Sequence, residues 1–152
     1  MDAIALIGPP GSGKTAVGRV LARRLELPFV DIADELGGGG AVVELGSTEA
    51  TSQATEIARR AAATPCVIAV PSWVTSPATP ARTIYLSSSA AETYARSGMN
   101  VPGPGGIVNP RSMWALLLRE RDPEYRAAAD LVIDASRKTV DEVAAEVLAY
   151  LR

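Results

Sequence analysis

At 152 residues and a net charge of −2, with a pI near 5.2, the chain is sized for one domain and has no basic field to draw nucleic acid or an anionic membrane. With no histidine and one cysteine, it can build neither a Ser-His-Asp triad nor a zinc site of ordinary composition. Cys66, set in the apolar run CVIAV, reads as a buried strand residue of a cytoplasmic protein without disulfides. The opening MDAIALIG carries no basic leader and no apolar run is long enough to span a bilayer, so no membrane partner is expected.

Apolar runs alternate with helix-like stretches, the pattern of a parallel sheet covered on both faces. Ala3 to Ile7 is a short buried strand. Val17, Val20, Leu21 and Leu25 recur at helical spacing, predicting a helix from Lys14 to Leu25 that ends before Pro28. Phe29 to Ile32 reads as a second strand and Gly37 to Gly40 as a linker at the edge of a mobile subdomain. Thr48 to Ala62 is helical with Ala50, Ala54, Ile57 and Ala61 inward, although AVVELG just before it could form an extra strand. Cys66 to Val70 and Thr83 to Leu86 follow as strands. Ser89 with Glu92 makes a capping box for a helix through Arg96. SGMNVPGPGGIVNP is an irregular loop. Asn109 before Pro110 starts a helix, and Asp122 before Pro123 starts a shorter one. Leu131 to Ile133 is the fifth strand, and Thr139 with Glu142 caps a closing helix through Leu151.

One stretch carries chemistry outright. In GPPGSGKT, residues 8 to 15, the positions Gly8, Gly13, Lys14 and Thr15 satisfy G-x-x-x-x-G-K-[ST] between a strand and a helix. Glycines at 8, 11 and 13 let successive backbone N–H groups turn inward around a phosphate, and the following helix adds its N-terminal dipole. Lys14 reaches the β- and γ-phosphates of such a ligand, and the Thr15 hydroxyl is placed for Mg²⁺. Gly8, Gly11, Ser12, Gly13, Lys14, Thr15 and Ala16 are therefore the candidate nucleotide contacts. Mg²⁺ also asks for a carboxylate; Asp31, at the carboxyl end of the second strand, is the candidate. Asp34, three residues on, reads equally as a helix cap or as an acceptor contact.

The loop together with LPFVDIADEL, TIYLSSSAAETYARSG and RERDPEYRAAADLVIDASRKTVDEV resembles the shikimate kinases over nearly the whole chain. That resemblance implies a P-loop α/β/α fold with a five-stranded parallel sheet, in a single domain over 1–152. It also implies a reduced acceptor subdomain at about 32–62, a lid at about 98–109, and ATP as phosphoryl donor to a hydroxyl of a small molecule. It sets Arg96 and Arg137 beside the adenine, although each also reads as a surface arginine. It sets Arg121 where the family holds a substrate carboxylate. Elsewhere the chain departs from the pattern. An Asp-x-Asp becomes Asp31-Ile32-Ala33, a substrate arginine falls on Thr51, a glycine triplet becomes Val70-Pro71-Ser72 followed by Trp73, and the lid arginine falls on Gly103. Arg111, just past the lid, could supply the missing charge or simply face solvent.

A bidentate arginine–carboxylate contact has no substitute in serine or threonine, so the acceptor site reads as altered. Lys14, Asp31 and Arg111 are the catalytic candidates, and Asp34, Thr51, Trp73 and Arg121 the substrate candidates. Thr51, Ser52, Gln53 and Glu56 opposite Trp73 point to a polyol or other neutral acceptor. The expectation is a cytoplasmic, monomeric, ATP- and Mg²⁺-dependent small-molecule kinase. The alternatives are a nucleotide-binding module with little or no transfer activity and a shikimate kinase with relocated contacts.

Overall fold

The computed structural model describes residues 2–36, 48–77, 79–97 and 110–151, the side chains of 94–97, 110 and 111 excepted. The Gly37–Gly40 linker, the AVVELG stretch and the lid at about 98–109 lie outside the described residues, as do the side chains of Arg96 and Arg111.

Five strands form one parallel sheet: β1 (Ala3–Ile7), β2 (Phe29–Asp31), β3 (Val67–Ala69), β4 (Ala81–Ser87) and β5 (Leu131–Asp134), in the order β2-β3-β1-β4-β5. The helices are α1 (Lys14–Leu25), α2 (Ile32–Glu35), α3 (Thr48–Ala61), α4 (Ala90–Ser97), α5 (Pro110–Ala128) and α6 (Val140–Leu151). Strand side chains alternate between faces. Ile4, Leu6, Val67, Ile84, Leu86 and Ile133 bury against Val17 and Leu21 of α1 and Val143 and Val147 of α6. Ala3, Ala5, Ile7, Ile68 and Tyr85 bury against Ile32 of α2, Ala54 and Ala58 of α3 and Tyr125 of α5. Apolar strands flanked on both sides in this way are what a parallel sheet needs. Cys66 is buried, its thiol donating to the Ala61 carbonyl at 3.2 Å.

Local chemistry explains most of the element ends. Thr139 and Glu142 close a reciprocal capping box, Glu142 N–H to Thr139 Oγ1 at 3.1 Å and Thr139 N–H to Glu142 Oε1 at 3.2 Å. At α4 the box is divided: Glu92 N–H donates to Ser89 Oγ at 3.2 Å, while the Glu92 carboxylate accepts from Arg137 N–H at 3.1 Å. β2 stops at Asp31 because the Asp31 side chain accepts from Ala33 N–H at 3.1 Å and caps α2. Asp34, the other cap candidate, lies exposed inside that helix. On α3 the fully buried pair is Ala54 and Ala58, with Ile57 and Ala61 packed partly beneath.

The break expected at Asp122-Pro123 does not occur. Residues 110–128 form one helix with Pro123 inside it. Asp122 is not free to cap, since its carboxylate accepts from Tyr85 Oη at 2.6 Å and Arg126 Nε at 2.7 Å. Tyr125, fully buried, stacks on Tyr85 with ring centroids 4.9 Å apart. Anchors on both sides of the proline hold the chain to the sheet, and tertiary packing outweighs the lost N–H. Pro123→Ala is expected to stabilise the protein by about 1–2 kcal/mol, because the roughly 3 kcal/mol interior-proline penalty is partly offset by a freer unfolded chain. Urea unfolding followed by circular dichroism measures this; an unchanged or lower midpoint would show that the proline costs nothing here.

Candidate active site

Parallel pairing brings the carboxyl ends of β1, β2 and β3 to one edge, where an open α/β sheet takes its ligands. β1 runs directly into the glycine-rich loop. Gly8, Gly11 and Gly13 all have positive φ, 153°, 82° and 97°, and Gly13 caps α1 from the left-handed region. Ser12 is 2 % exposed and its hydroxyl has no hydrogen-bond partner among the described residues.

Lys14 folds back over the loop and donates to the Gly8 carbonyl at 2.7 Å and the Pro9 carbonyl at 3.0 Å. Thr15 Oγ1 donates to Asp31 Oδ2 at 3.0 Å, so the loop hydroxyl and the β2 carboxylate meet across β3. Asp31 thus serves this pair with one oxygen and caps α2 with the other. A cavity of about 410 Å³ opens beside them. Gly11, Gly13, Lys14, Thr15, Ala16 and Asp31 line one side, and Ala33, Ala69, Val70, Pro71, Ser72 and Trp73 the other.

Burial lowers the Lys14 pKa from its ordinary 10.5 to about 7; Asp31 works against this and the positive charge of Arg121 adds to it. Arg121 is therefore within electrostatic reach of the phosphate-loop amine. Its guanidinium donates to the Ser72 carbonyl at 3.5 Å, and the Tyr125 hydroxyl donates to the same oxygen. Burial pushes the Tyr125 phenol up to about 12, so it remains a donor.

Lys14, Thr15, Asp31 and Trp73 gather around one cavity; Arg121 does not line it but is bonded to its wall at the Ser72 carbonyl. Asp34 and Thr51 are not among the residues that line it. Nor are Ser52, Gln53 and Glu56, which border a separate hollow of about 500 Å³ between α2 and α3. There Gln53 Nε2 donates to Glu49 Oε1 at 3.5 Å, and the Glu56 carboxylate is held by Arg59 and Arg60. Arg137 is exposed, with a left-handed backbone at φ 60° fixed by its N–H to Glu92. Ser136 Oγ accepts from Ser89 N–H at 3.0 Å, which ties the loop after β5 to the start of α4. The support that Tyr125 gives the cavity wall was missed, since a lone tyrosine in DPEY gives no sign of a carbonyl 53 positions away.

The family model for shikimate kinase matches residues 10–152. The chain belongs to the shikimate kinase family. The shikimate kinase of Thermobifida fusca is 36% identical over 95% of this chain and 91% of its own length. That of Salinispora arenicola is 32% identical over 96% and 95%. Among solved structures, shikimate kinase from Acinetobacter baumannii in complex with shikimate superposes with a TM-score of 0.82 at 25% identity, covering 99% of this chain and 93% of that one. As a member of this family, the chain is an ATP-dependent kinase of a small molecule. The reading as a module without transfer activity gains nothing from these relatives. Among the described residues no helix is long and apolar enough to cross a membrane.

A polyphosphate entering the loop sets negative charge beside Lys14 and raises its pKa again. Above pH 7 the amine of the empty site is largely neutral, so ATP binding at pH 8.5 should take up close to one proton. Affinity should fall as pH rises from about 7 towards 10. Calorimetry at pH 8.5 in two buffers of different ionisation enthalpy reads the uptake directly. Identical heats in both would show that Lys14 is already charged in the empty site.

Proposed function

We propose that the protein transfers the γ-phosphoryl group of Mg²⁺-ATP to a hydroxyl of a small acceptor lying in the cavity between the phosphate loop and Ala69–Trp73. The observation that carries this reading is the 3.0 Å contact between Thr15 and Asp31, beside Lys14 and at the mouth of that cavity. A hydroxyl and a carboxylate are hard oxygen donors, and Mg²⁺ in kinases takes only one or two protein ligands beside phosphate oxygens and water. The pair suits that ion, which supplies neutralising charge on the transferring group.

In this reading Gly8, Gly11, Ser12, Gly13 and Ala16 surround the phosphates with backbone N–H groups. Lys14 exchanges its two carbonyl partners for phosphate oxygens, while Arg96 and Arg137 flank the base. Asp31 orients the acceptor hydroxyl as well as the metal side. Arg111 is the candidate to bring charge onto the transferring phosphoryl group, in the place of the lid arginine that Gly103 lacks. Arg121 faces the acceptor. The chain is read as one monomeric cytoplasmic domain over 1–152, its acceptor part at 32–62 reduced.

A second reading, shikimate itself held by relocated contacts, is favoured by one observation: Arg121 stands near Lys14, bonded to the cavity wall at Ser72. The polyol reading has less support, since the helix residues that motivated it border the other hollow.

The test is ADP release from Mg²⁺-ATP across an acceptor panel that includes shikimate. Lys14→Met and Asp31→Asn should each lower acceptor-dependent turnover by about 10²–10³, with far-ultraviolet circular dichroism unchanged. If Asp31→Asn keeps more than a tenth of the wild-type rate, the assignment of Asp31 fails. Tight ATP binding with no acceptor stimulating release would favour the nucleotide-binding module instead.

A further inference from the structure

Two capping boxes of the same sequence type meet different fates in this chain. Thr139 and Glu142 close on each other. Ser89 and Glu92 instead exchange partners with the loop between β5 and α6. Ser89 N–H donates to Ser136 Oγ at 3.0 Å, and Arg137 N–H donates to the Glu92 carboxylate, at 3.1 Å to Oε1 and 3.3 Å to Oε2. Ser88 Oγ donates to Glu92 Oε2 at 3.3 Å and steadies the carboxylate from its own side. The loop held in this way is a four-residue turn. Lys138 N–H donates to the Ala135 carbonyl at 3.3 Å, and Ser136 N–H to Asp134 Oδ1 at 2.9 Å. Arg137 takes the third place of that turn at φ 60°, where glycine or asparagine is usual. An exposed arginine is thus kept in a strained backbone position, and such strain persists where surrounding contacts fix it.

The place of the turn gives that strain a use. Ser87 at the end of β4 pairs with Asp134 at the end of β5, and β4 lies beside β1, which runs into the phosphate loop. The cavity bordered by Lys14 and Asp31 takes the β2–β3 side of the loop. A triphosphate whose γ end lies there has its nucleoside end on the β4–β5 side. We propose that Glu92 is a positioning residue for the nucleoside. Its carboxylate fixes the turn at residues 135–138, which carries Arg137, on the side where the base lies. This inference rests on the reading that sets ATP in the phosphate loop with Arg137 beside its base; it needs no acceptor and no transfer. Glu92 touches no part of the nucleotide and acts by holding the turn in place before ATP arrives. The phosphates are held by residues 8–16 and do not depend on it.

Calorimetry with Mg²⁺-ATP and with Mg²⁺-tripolyphosphate separates the two ends of the ligand, since tripolyphosphate fills the phosphate loop and has no base. Glu92→Ala should raise the Kd for ATP about tenfold and that for tripolyphosphate by less than about twofold. Glu92→Gln, whose amide oxygen still accepts Arg137 N–H, should stay within about threefold of wild type for both. Ser136→Ala removes the other half of the exchange and should show the same selective loss to a smaller degree. Thermal unfolding shows that each variant is folded at the temperature of measurement. Equal weakening of ATP and tripolyphosphate in Glu92→Ala and Ser136→Ala, or ATP affinity unchanged in both, would overturn the proposal. Arg137→Ala tests the underlying reading separately: unchanged ATP affinity there, beside a selective loss in Glu92→Ala, removes Arg137 from the base and leaves the positioning by Glu92 standing.

Discussion

Gly8 is where strand chemistry becomes site chemistry, and the rest of the nucleotide side depends on its missing side chain. A Cβ there would stand 2.7 Å from the Leu86 carbonyl oxygen and 2.9 Å from Ser12 Oγ. The first of these is backbone in the middle of the sheet and cannot move aside. Only hydrogen at this position lets the chain leave β1 and lie across the end of β4. From that start the loop turns through Gly11 and Gly13, buries Ser12, and begins α1 with Lys14 already folded back over Gly8 and Pro9. The same turn aims Thr15 across β3 toward Asp31.

The nucleotide side was legible in the sequence because it is local. Strand, glycine loop and helix occupy residues 3–25 without interruption, and hydrophobic spacing alone placed β1 and α1 at their observed ends. The Thr139–Glu142 box was equally readable, since both partners lie within one turn. What escaped was long-range. Pro123 looked like a helix start because the anchors that carry α5 past it, Tyr85 on Asp122 and Tyr125 beneath Ser72, come from positions 37 and 53 residues away. Asp34 and Asp31 were both plausible caps by type; only the backbone geometry at 31–33 decides that Asp31 takes that role.

The acceptor side illustrates the same division in chemical terms. Thr51, Ser52, Gln53 and Glu56 look like a polar recognition face when read along one helix. In three dimensions Gln53 and Glu56 satisfy neighbours on their own helix and border a different hollow. Trp73, by contrast, offers no motif, yet it sits opposite the phosphate loop because β3 runs parallel between β1 and β2 and ends at their level. Position in the sheet, more than residue type, decides which side chains share the cavity. Val70, Pro71, Ser72 and Trp73, at the end of β3, therefore make the surface that the cavity presents opposite the phosphate loop.

Lys14 and Arg121 add a constraint that neither half shows alone. The burial that brings the Lys14 amine to a pKa of about 7 disfavours its charge, and Arg121 presses in the same direction. For the empty protein the linkage has a definite sign. The folded pKa lies below the unfolded one, so the cost of the buried charge is fully present below about pH 7 and is relieved as pH rises towards 10.5. Asp31 offsets part of that cost but is also committed to Thr15 and to the cap of α2. A negatively charged group lying between the amine and the guanidinium would interact favourably with both and remove their mutual repulsion at once. Arg121, bonded to the wall at Ser72, and Lys14, bonded to the loop, are both held before any ligand arrives, so an anion beside them meets a fixed guanidinium and returns the amine to its charged form.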